Sequence, residues 1–312
     1  GATSNWTDLD NWSYAVPTNT DDPTAGCLPN EFDNVRFTNM SFYGASAGTI
    51  ATTSLVTVNQ NVKFNDMLWQ GPFTAISSAT TPLYPKIAPT TSTTVMDIYG
   101  SLKLHKTMDW KFGLGSLNEN YVFFRSTIMD TIEMQNQSFY SNILFEGSGK
   151  YIVTDSLVLA EANENTVNSI YSGFVLQNNG ELDLKGNKWF GMGYQSASTS
   201  TATPIILNIN SSTVTFYPKN TYYLPSTQSI GITFGNTSTN SYTLDATNSK
   251  INLRLISNYR VLSESHEVLM SIINPTNSIG PRLNFNVINI TTIVPSANFY
   301  KINIVGKGID VD

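Results

Sequence analysis

The chain has 312 residues, 40% of them hydrophobic, so it can bury a sizeable core. Charged residues make up only 13% of it, against about 25% in an average soluble domain. The net charge is −6 and the 17 Lys and Arg form no basic run, which excludes the phosphate-neutralising patch that nucleic acid requires. No apolar run reaches the length of a membrane span, so we expect no direct membrane insertion. The single cysteine, Cys27, excludes an intrachain disulfide and a cysteine-based metal site.

The first 40 residues differ from the rest of the chain. They contain Trp6, Trp12 and several prolines but little strand alternation before Val35, as expected of a segment that caps the open end of a stacked fold. Acidic residues concentrate here, and loop carboxylates suit a hard cation such as calcium. The candidate calcium ligands are Asp8, Asp10, Asp21, Asp22 and Asp33. Their spacing is not that of an EF-hand, so solvated loop acids are the alternative, and we expect no other cofactor.

Short strand-like runs then follow one another to the end of the chain. Most alternate apolar with polar side chains between Gly, Asn or Ser residues, which indicates strands with one buried and one wet face. The clearest runs are Leu55–Val58, Val62–Phe64, Met67–Trp69, Val95–Tyr99, Leu102–Leu104, Met108–Phe112, Lys150–Thr154, Ser156–Leu159, Phe174–Gln177, Glu181–Leu184, Ile205–Ile209, Thr213–Tyr217, Ile230–Phe234, Ile251–Leu255, Leu283–Ile290 and Tyr300–Val305. Helical periodicity is nearly absent, because the best candidate, Val261–Ile273, also fits a strand around a polar turn.

A short polar turn followed by an alternating strand recurs in the middle of the chain. Four such units begin at Gly147, Asn178, Asn210 and Thr247. Their spacing of roughly 30–40 residues is typical of an irregular solenoid repeat. A β-sandwich, which is the alternative, would place turns about every 8–12 residues without this longer period. We therefore predict an all-β chain: a single-stranded, right-handed parallel β-helix over 41–312 with an N-terminal cap over 1–40.

Several segments resemble the extracellular β-helix modules of Bacteroidetes surface proteins. In those modules an Asn-Trp-Ser segment leads through a Pro to an Asp-Asn-Val-x-Phe strand, which Asn11-Trp12-Ser13, Pro29 and Asp33-Asn34-Val35-Arg36-Phe37 match. Their repeating rungs are similar to Leu182–Asn187, Ile206–Thr215 and Leu244–Ile251, whereas Asn39–Thr53 and Thr80–Pro89 depart from the pattern. The likeness rests on strand patterns and includes no catalytic signature.

The resemblance implies an extracellular location on a bacterial cell surface and membership of a longer surface chain. It also implies a modification, because Bacteroidetes glycosylate the hydroxyl in an Asp-Ser/Thr-apolar pattern. Asp130-Thr131-Ile132 and Asp155-Ser156-Leu157 fit that pattern, so Thr131 and Ser156 are candidates for O-glycosylation.

The two histidines carry no recognisable catalytic or metal motif. His105 fits an outward position at a turn, where a solvated surface histidine is the simplest reading. His266 lies between Glu264 and Glu267, but this spacing matches no standard metal site.

Carboxylates and lysines on neighbouring rungs give the enzymatic alternative. Asp183 with Lys185, and Asp155 with Lys150, could stack on one face, as a solenoid polysaccharide lyase or hydrolase requires. Cross-strand ion pairs of small energetic value explain the same pattern without chemistry.

Aromatic rings offer a physical handle for glycans, because the apolar face of a sugar stacks on a ring. Trp69, Trp110 and Trp189 each fall near a turn and are candidates for such a platform. Packing at a corner or in the core is the alternative.

These observations favour a non-enzymatic, adhesin-like module of the cell surface for recognition or attachment. Its expected partner is a host or environmental surface glycan or protein. The first alternative is a β-helix polysaccharide lyase or glycoside hydrolase. The second is a phage tail-fibre segment, which would share the Asn-, Ser- and Thr-rich strand composition.

Overall fold

The structure is a computed structural model, and the residues that it describes form 25 strands and two short 3-10 helices, Leu9–Asn11 and Asn39–Phe42. It describes residues 4–13, 26–42, 55–73, 84–90, 93–113, 120–159, 173–191, 193–196, 204–216, 231–235, 242–246, 249–255, 268–273, 287–292 and 300–305. The first thirteen strands are β1 (Val35–Thr38), β2 (Leu55–Val58), β3 (Val62–Phe64), β4 (Met67–Gln70), β5 (Lys86–Pro89), β6 (Val95–Ile98), β7 (Leu102–Lys103), β8 (Asp109–Trp110), β9 (Tyr121–Phe124), β10 (Met129–Glu133), β11 (Asn142–Phe145), β12 (Lys150–Val153) and β13 (Leu157–Val158). The remainder are β14 (Phe174–Gln177), β15 (Gly180–Asp183), β16 (Lys188–Gly191), β17 (Gly193–Ser196), β18 (Ile205–Asn208), β19 (Thr213–Phe216), β20 (Gly231–Gly235), β21 (Tyr242–Asp245), β22 (Lys250–Leu255), β23 (Val268–Ile273), β24 (Val287–Thr292) and β25 (Tyr300–Val305).

The strands form three stripes, and successive coils visit the stripes in the same order. The first stripe is an eight-stranded sheet, β1-β4-β7-β10-β12-β15-β18-β21. The second consists of two pieces, β2-β5-β8 and β13-β16-β19-β22-β24. The third is a nine-stranded sheet, β3-β6-β9-β11-β14-β17-β20-β23-β25. The strand pairs within each stripe are parallel, so the predicted all-β parallel β-helix is confirmed.

The predicted repeat units fall into two stripes. Lys150 is aligned with Glu181 in the first stripe, whereas Thr213 is aligned with Lys250 in the second. Strands of more than one stripe follow a polar turn, so the local pattern does not reveal the stripe to which a strand belongs. Coil length also varies, because the number of residues between successive strands of one stripe differs from coil to coil.

The core is a continuous stack of inward side chains. One column of the first stripe contains Tyr151, Leu182, Leu207 and Leu244, which are aligned on four successive coils and at most 2% exposed. Each such side chain contributes about 1.5–3 kcal/mol through burial. A single coil has no second layer to cover its inward face, so stability depends on stacking.

The turn from the first stripe to the second, here called the first corner, has the same backbone in several coils. The carbonyls of Met134, Leu184, Ile209 and Ala246 each accept a bond from the N–H three residues later, at 2.8–3.0 Å. Left-handed backbone at these corners occurs at Gln135, Asn136, Lys185, Ser211 and Gly186. Asparagine, which tolerates this conformation best among non-glycine residues, is therefore only one of the residues that take it here.

The N-terminal segment packs against the first coil. Asn5 forms a parallel bridge with Thr57, beyond the edge of β2. The Trp6 ring is 2% exposed and lies 6.0 Å from Phe64 and 4.6 Å from Trp12. β1 is the outermost strand of the first stripe, so the stack begins inside the segment 1–40 that the sequence assigns to a cap.

Candidate functional site

The three tryptophans singled out in the sequence lie inside the stack. Trp69 is 1% exposed, and Trp110 and Trp189 are 0% exposed. Their neighbours are aromatic: Trp69 stacks on Phe37 at 4.4 Å, and Trp189 meets Phe216 edge-on at 5.1 Å. Trp69 belongs to the first stripe and the other two belong to the second, so they do not share one structural position. None of the three rings forms an outward platform, and an outward recognition surface must use other side chains.

The candidate calcium ligands are only partly within the described residues. The Asp33 carboxylate accepts bonds from the backbone N–H and the side-chain amide of Asn30, at 3.0 and 2.5 Å. Asp8 is half-buried in the loop before the first 3-10 helix. Asp21, Asp22 and the side chain of Asp10 lie outside what is described. Among the residues that are described, no group of three or more His, Cys, Asp or Glu side chains could hold a metal ion.

The two candidate O-glycosylation residues have different environments. Thr131 is exposed on the outer face of β10, and the neighbouring Asp130 accepts a bond from Ser101 Oγ at 2.9 Å. Ser156 is half-buried, and the preceding Asp155 accepts the backbone N–H groups of Met134 and Gln135. Asp155 thus caps a turn of the neighbouring coil. The sequence pattern suggests that Asp155 stacks with Lys150, but the contacts described for Asp155 are with this turn.

An open groove on the outer face of the first stripe is a candidate site in the described part of the chain. It has a volume of about 250 Å³ and crosses four coils beside the turn from the third stripe back to the first, here called the third corner. We call it the outer groove. It is lined by Thr127, Ile128, Met129, Ser148, Gly149, Lys150, Gly180, Glu181, Pro204 and Ile206.

Four outward side chains of the outer groove form a row along the stacking direction. Met129 is aligned with Lys150, Lys150 with Glu181, and Glu181 with Ile206. Adjacent strands are about 4.8 Å apart, so the row spans about 14 Å. An ion pair in the middle is therefore flanked by an apolar side chain at each end.

The apolar end of the outer groove is unusually exposed. Ile128 and Met129 are 69% and 66% exposed, whereas most large apolar side chains in the described part of the chain are buried. The other exposed large apolar side chains described are Leu9 and Phe32, in the N-terminal segment. Adjacent exposed apolar side chains beside a groove are typical of an interaction site.

Charged side chains at the centre of the outer groove are held in a fixed cluster. Lys150 Nζ lies 2.6 Å from Glu181 Oε1 and 2.8 Å from Asp183 Oδ2, and Lys185 Nζ lies 3.3 Å from the same Asp183 oxygen. Asp183 is 1% exposed. Its Oδ2 makes no well-aligned hydrogen bond, so these contacts are ion pairs, while Oδ1 accepts the Lys185 N–H at 3.0 Å. The predicted Asp183–Lys185 contact is thus present.

The protonation states of this cluster follow from its contacts. Burial alone would raise the pKa of Asp183, but the contacts with Lys150 and Lys185 outweigh it and hold that pKa below its ordinary value. Burial would lower the pKa of Lys150, but Asp183 and Glu181 outweigh it and the pKa is raised. At neutral pH, Asp183 is therefore a carboxylate and Lys150 an ammonium. The pair offers fixed hydrogen-bonding groups rather than a proton to transfer.

Glycines allow the coils to approach closely at the third corner. Gly180 has a φ of +67°, and a Cβ there would lie 2.4 Å from the carbonyl oxygens of Gly147 and Gly149. A Cβ on Gly149 would lie 2.1 Å from the Ile128 carbonyl oxygen. Side chains other than hydrogen would therefore push the coils apart beneath the outer groove.

The sequence singles out Lys150, Asp183 and Lys185, but it does not predict the row of Met129, Lys150, Glu181 and Ile206, although two signals for that row exist. Alternation from the inward Ile132 places Met129 on the outer face if the strand extends back to Met129. The sequence does not predict a strand over Met129–Glu133. Aligning the units at Gly149-Lys150 and Gly180-Glu181 puts Lys150 beside Glu181, which the structure confirms. The contribution of Pro204 and Ile206 depends on coil length and could not be read from a local pattern.

Among the described residues, no helix has the length and hydropathy needed to cross a membrane.

Comparison of the chain with protein families, with curated proteins and with solved structures finds no significant match.

Proposed function

We propose that this chain is a non-enzymatic, adhesin-like module of a bacterial cell surface, and that the outer groove is its recognition face. The observation that carries the proposal is the adjacency of exposed Ile128 and Met129 to the Lys150–Glu181 ion pair. Exposed apolar groups supply contact area, and fixed polar groups supply orientation. A stack of rigid coils holds both in place before a ligand arrives, which lowers the entropic cost of binding.

The resemblance to Bacteroidetes surface modules and the composition support an extracellular place for this activity. An outer surface wetted by hydroxyls and amides suits attachment to a glycan or protein of a host or environmental surface. The wider proposal is a secreted module within a longer surface chain.

The protonation states of the charged cluster favour binding over catalysis. A glycosidase needs a carboxyl that stays protonated near neutral pH, so its pKa must be raised. A lyase that used a lysine base would need a lowered lysine pKa. Asp183 and Lys150 are shifted in the opposite directions.

Binding to an array of surface glycans and extracellular proteins tests the proposal. Replacing both apolar side chains (Ile128→Ser with Met129→Ser) should abolish binding of the protein to the array. Phe32→Ser is the matched control, because Phe32 is also exposed, at 84%, but lies just before β1, three strands away from β10 in the first stripe. Equal binding by the double variant and wild type would contradict the groove assignment. Release of sugars from any polysaccharide by the wild-type chain would contradict the non-enzymatic function.

A further inference from the structure

At the centre of the outer groove, Lys150 and Glu181 keep hydrogen-bonding atoms that their ion pair does not use. Lys150 has three N–H donors and contacts two carboxylates, so at least one donor remains. The Glu181 carboxylate contacts Lys150 through Oε1, and within the described part of the chain Oε2 makes no hydrogen bond. A donor and an acceptor therefore stand side by side. Two neighbouring hydroxyls of a sugar, each able to donate and accept, complement such a pair.

The charges of the cluster cancel. Two lysines, Lys150 and Lys185, face two carboxylates, Glu181 and Asp183. An acidic ligand would have to displace Glu181 from Lys150 while both carboxylates stayed nearby and repelled it. An uncharged ligand meets neither cost.

Apolar side chains flank the charged centre on both sides along the row. Met129 lies one coil before Lys150, and Ile206 lies one coil after Glu181. Such side chains suit the C–H faces of sugar rings. The row spans about 14 Å, enough for a short oligosaccharide lying along the stacking direction across four coils.

We infer that the outer groove binds an uncharged saccharide chain. Lys150 and Glu181 form hydrogen bonds with neighbouring hydroxyls of one sugar, and Asp183 positions Lys150. This inference rests on the proposed function and adds its ligand class. Asp183 is 1% exposed and lies 2.8 Å from Lys150 Nζ, so it orders the ammonium without offering a surface to the ligand itself.

The chain offers a matched control for the ion pair. Lys103 and Glu133 are also aligned on neighbouring coils of the first stripe and lie 2.7 Å apart, but neither lines the outer groove. Lys103→Met and Glu133→Gln therefore measure the effect of losing a Lys–Glu pair that lies outside the outer groove. Loss of the pair in the outer groove is tested by Lys150→Met and Glu181→Gln.

Calorimetric titration with tetrasaccharides is the experiment: neutral β-glucan, xylan and mannan fragments against polygalacturonate and alginate fragments. We expect a neutral fragment to bind and both acidic fragments to fail. Lys150→Met and Glu181→Gln should each weaken binding by about tenfold or more, because each removes a bond to a charged group. The two control variants should bind like wild type.

A second variant separates the positioning role from folding. Asp183→Asn keeps the Oδ1 acceptor for the Lys185 N–H, as Asn208 does for the Asn210 N–H on the next coil at 3.1 Å. It should weaken binding several-fold and lower the pKa of Lys150, measured by NMR of its side chain. An unchanged Lys150 pKa would overturn the positioning role.

The outcomes distinguish this inference from the proposed function. If acidic fragments bind, if no neutral fragment binds, or if the Lys150 and Glu181 variants bind like wild type, the inference is overturned. The recognition face survives those results as long as the Ile128 and Met129 double variant still loses array binding.

Discussion

His105 illustrates how one side chain can be built into a turn. Its Nδ1 accepts the Thr107 N–H at 3.1 Å and lies 2.8 Å from Thr107 Oγ1, which in turn accepts the Phe73 N–H at 2.7 Å. The imidazole is half-buried against the edge of Phe73. Because Nδ1 is an acceptor, the turn requires the neutral ring. The sequence predicts a solvated histidine at a turn. It could not show that Phe73, from another coil, would cover the ring of His105.

Stability should therefore fall as the pH drops through the range in which histidine titrates. Burial, then the charges of Lys106 and Lys103 against the opposing Glu133, lower the pKa of His105 below its ordinary value. Above about pH 6.5 the ring is neutral in both the folded and unfolded states. Below that, the unfolded state takes up a proton first, so the free energy of unfolding decreases until the folded-state pKa is reached.

Urea midpoints between about pH 7.5 and about pH 5 measure this loss. His105→Asn should flatten the pH dependence relative to wild type. Parallel pH profiles for the two proteins would contradict the assignment.

At the scale of elements, alternation predicted most of the strands and their inward faces. It failed where a strand has little alternation of its own, as in β11, where Asn142, Ile143, Leu144 and Phe145 are all buried. The stripe of each strand could not be predicted, because it depends on loop lengths and not on side-chain pattern. The candidate site depends on that assignment, since it is made by side chains of four coils.

Close packing of the third corner predicts that two glycine-to-alanine substitutions will differ strongly in the stability they remove. Gly180→Ala should destabilise strongly, by more than about 2 kcal/mol, because its Cβ would meet two carbonyl oxygens at 2.4 Å. Gly186→Ala is the control: its φ is also positive, at +78°, but the nearest atom to a Cβ is 3.8 Å away. It should cost only about 1 kcal/mol of backbone strain.

Denaturant midpoints of the two variants check this prediction. Equal losses would mean that left-handed backbone strain, and not contact between coils, decides the tolerance at Gly180.

At the scale of the whole molecule, stability spreads along a line of coils. Each coil contacts its neighbours, so a defect should act locally. Trp6 covers one end, with its ring against Phe64 and Trp12. The strand at Val35–Phe37 could be predicted from its resemblance to the Asp-Asn-Val-x-Phe segment, but the boundary at residue 40 placed it in the cap, whereas β1 is the outermost strand of the first stripe.

Trp6→Ala should remove about 3–5 kcal/mol of packing at the first coil. Hydrogen exchange should then accelerate in β1, β2 and β3 and remain slow in β15 and β16. Trp189→Ala, in the middle of the stack, should produce the reverse pattern. Uniform acceleration in both variants would show that the coils unfold as one unit.

The parallel pairing has a mechanical consequence. Strands lie across the stack, so the hydrogen bonds between coils run along it. A load applied between the two ends of the stack pulls on these bonds in turn and not on all of them together. We expect single-molecule extension to proceed in small steps of one coil each at low force, whereas one abrupt rupture would contradict it. Under the proposed function, such a chain would yield gradually under flow and lengthen while a ligand stayed bound.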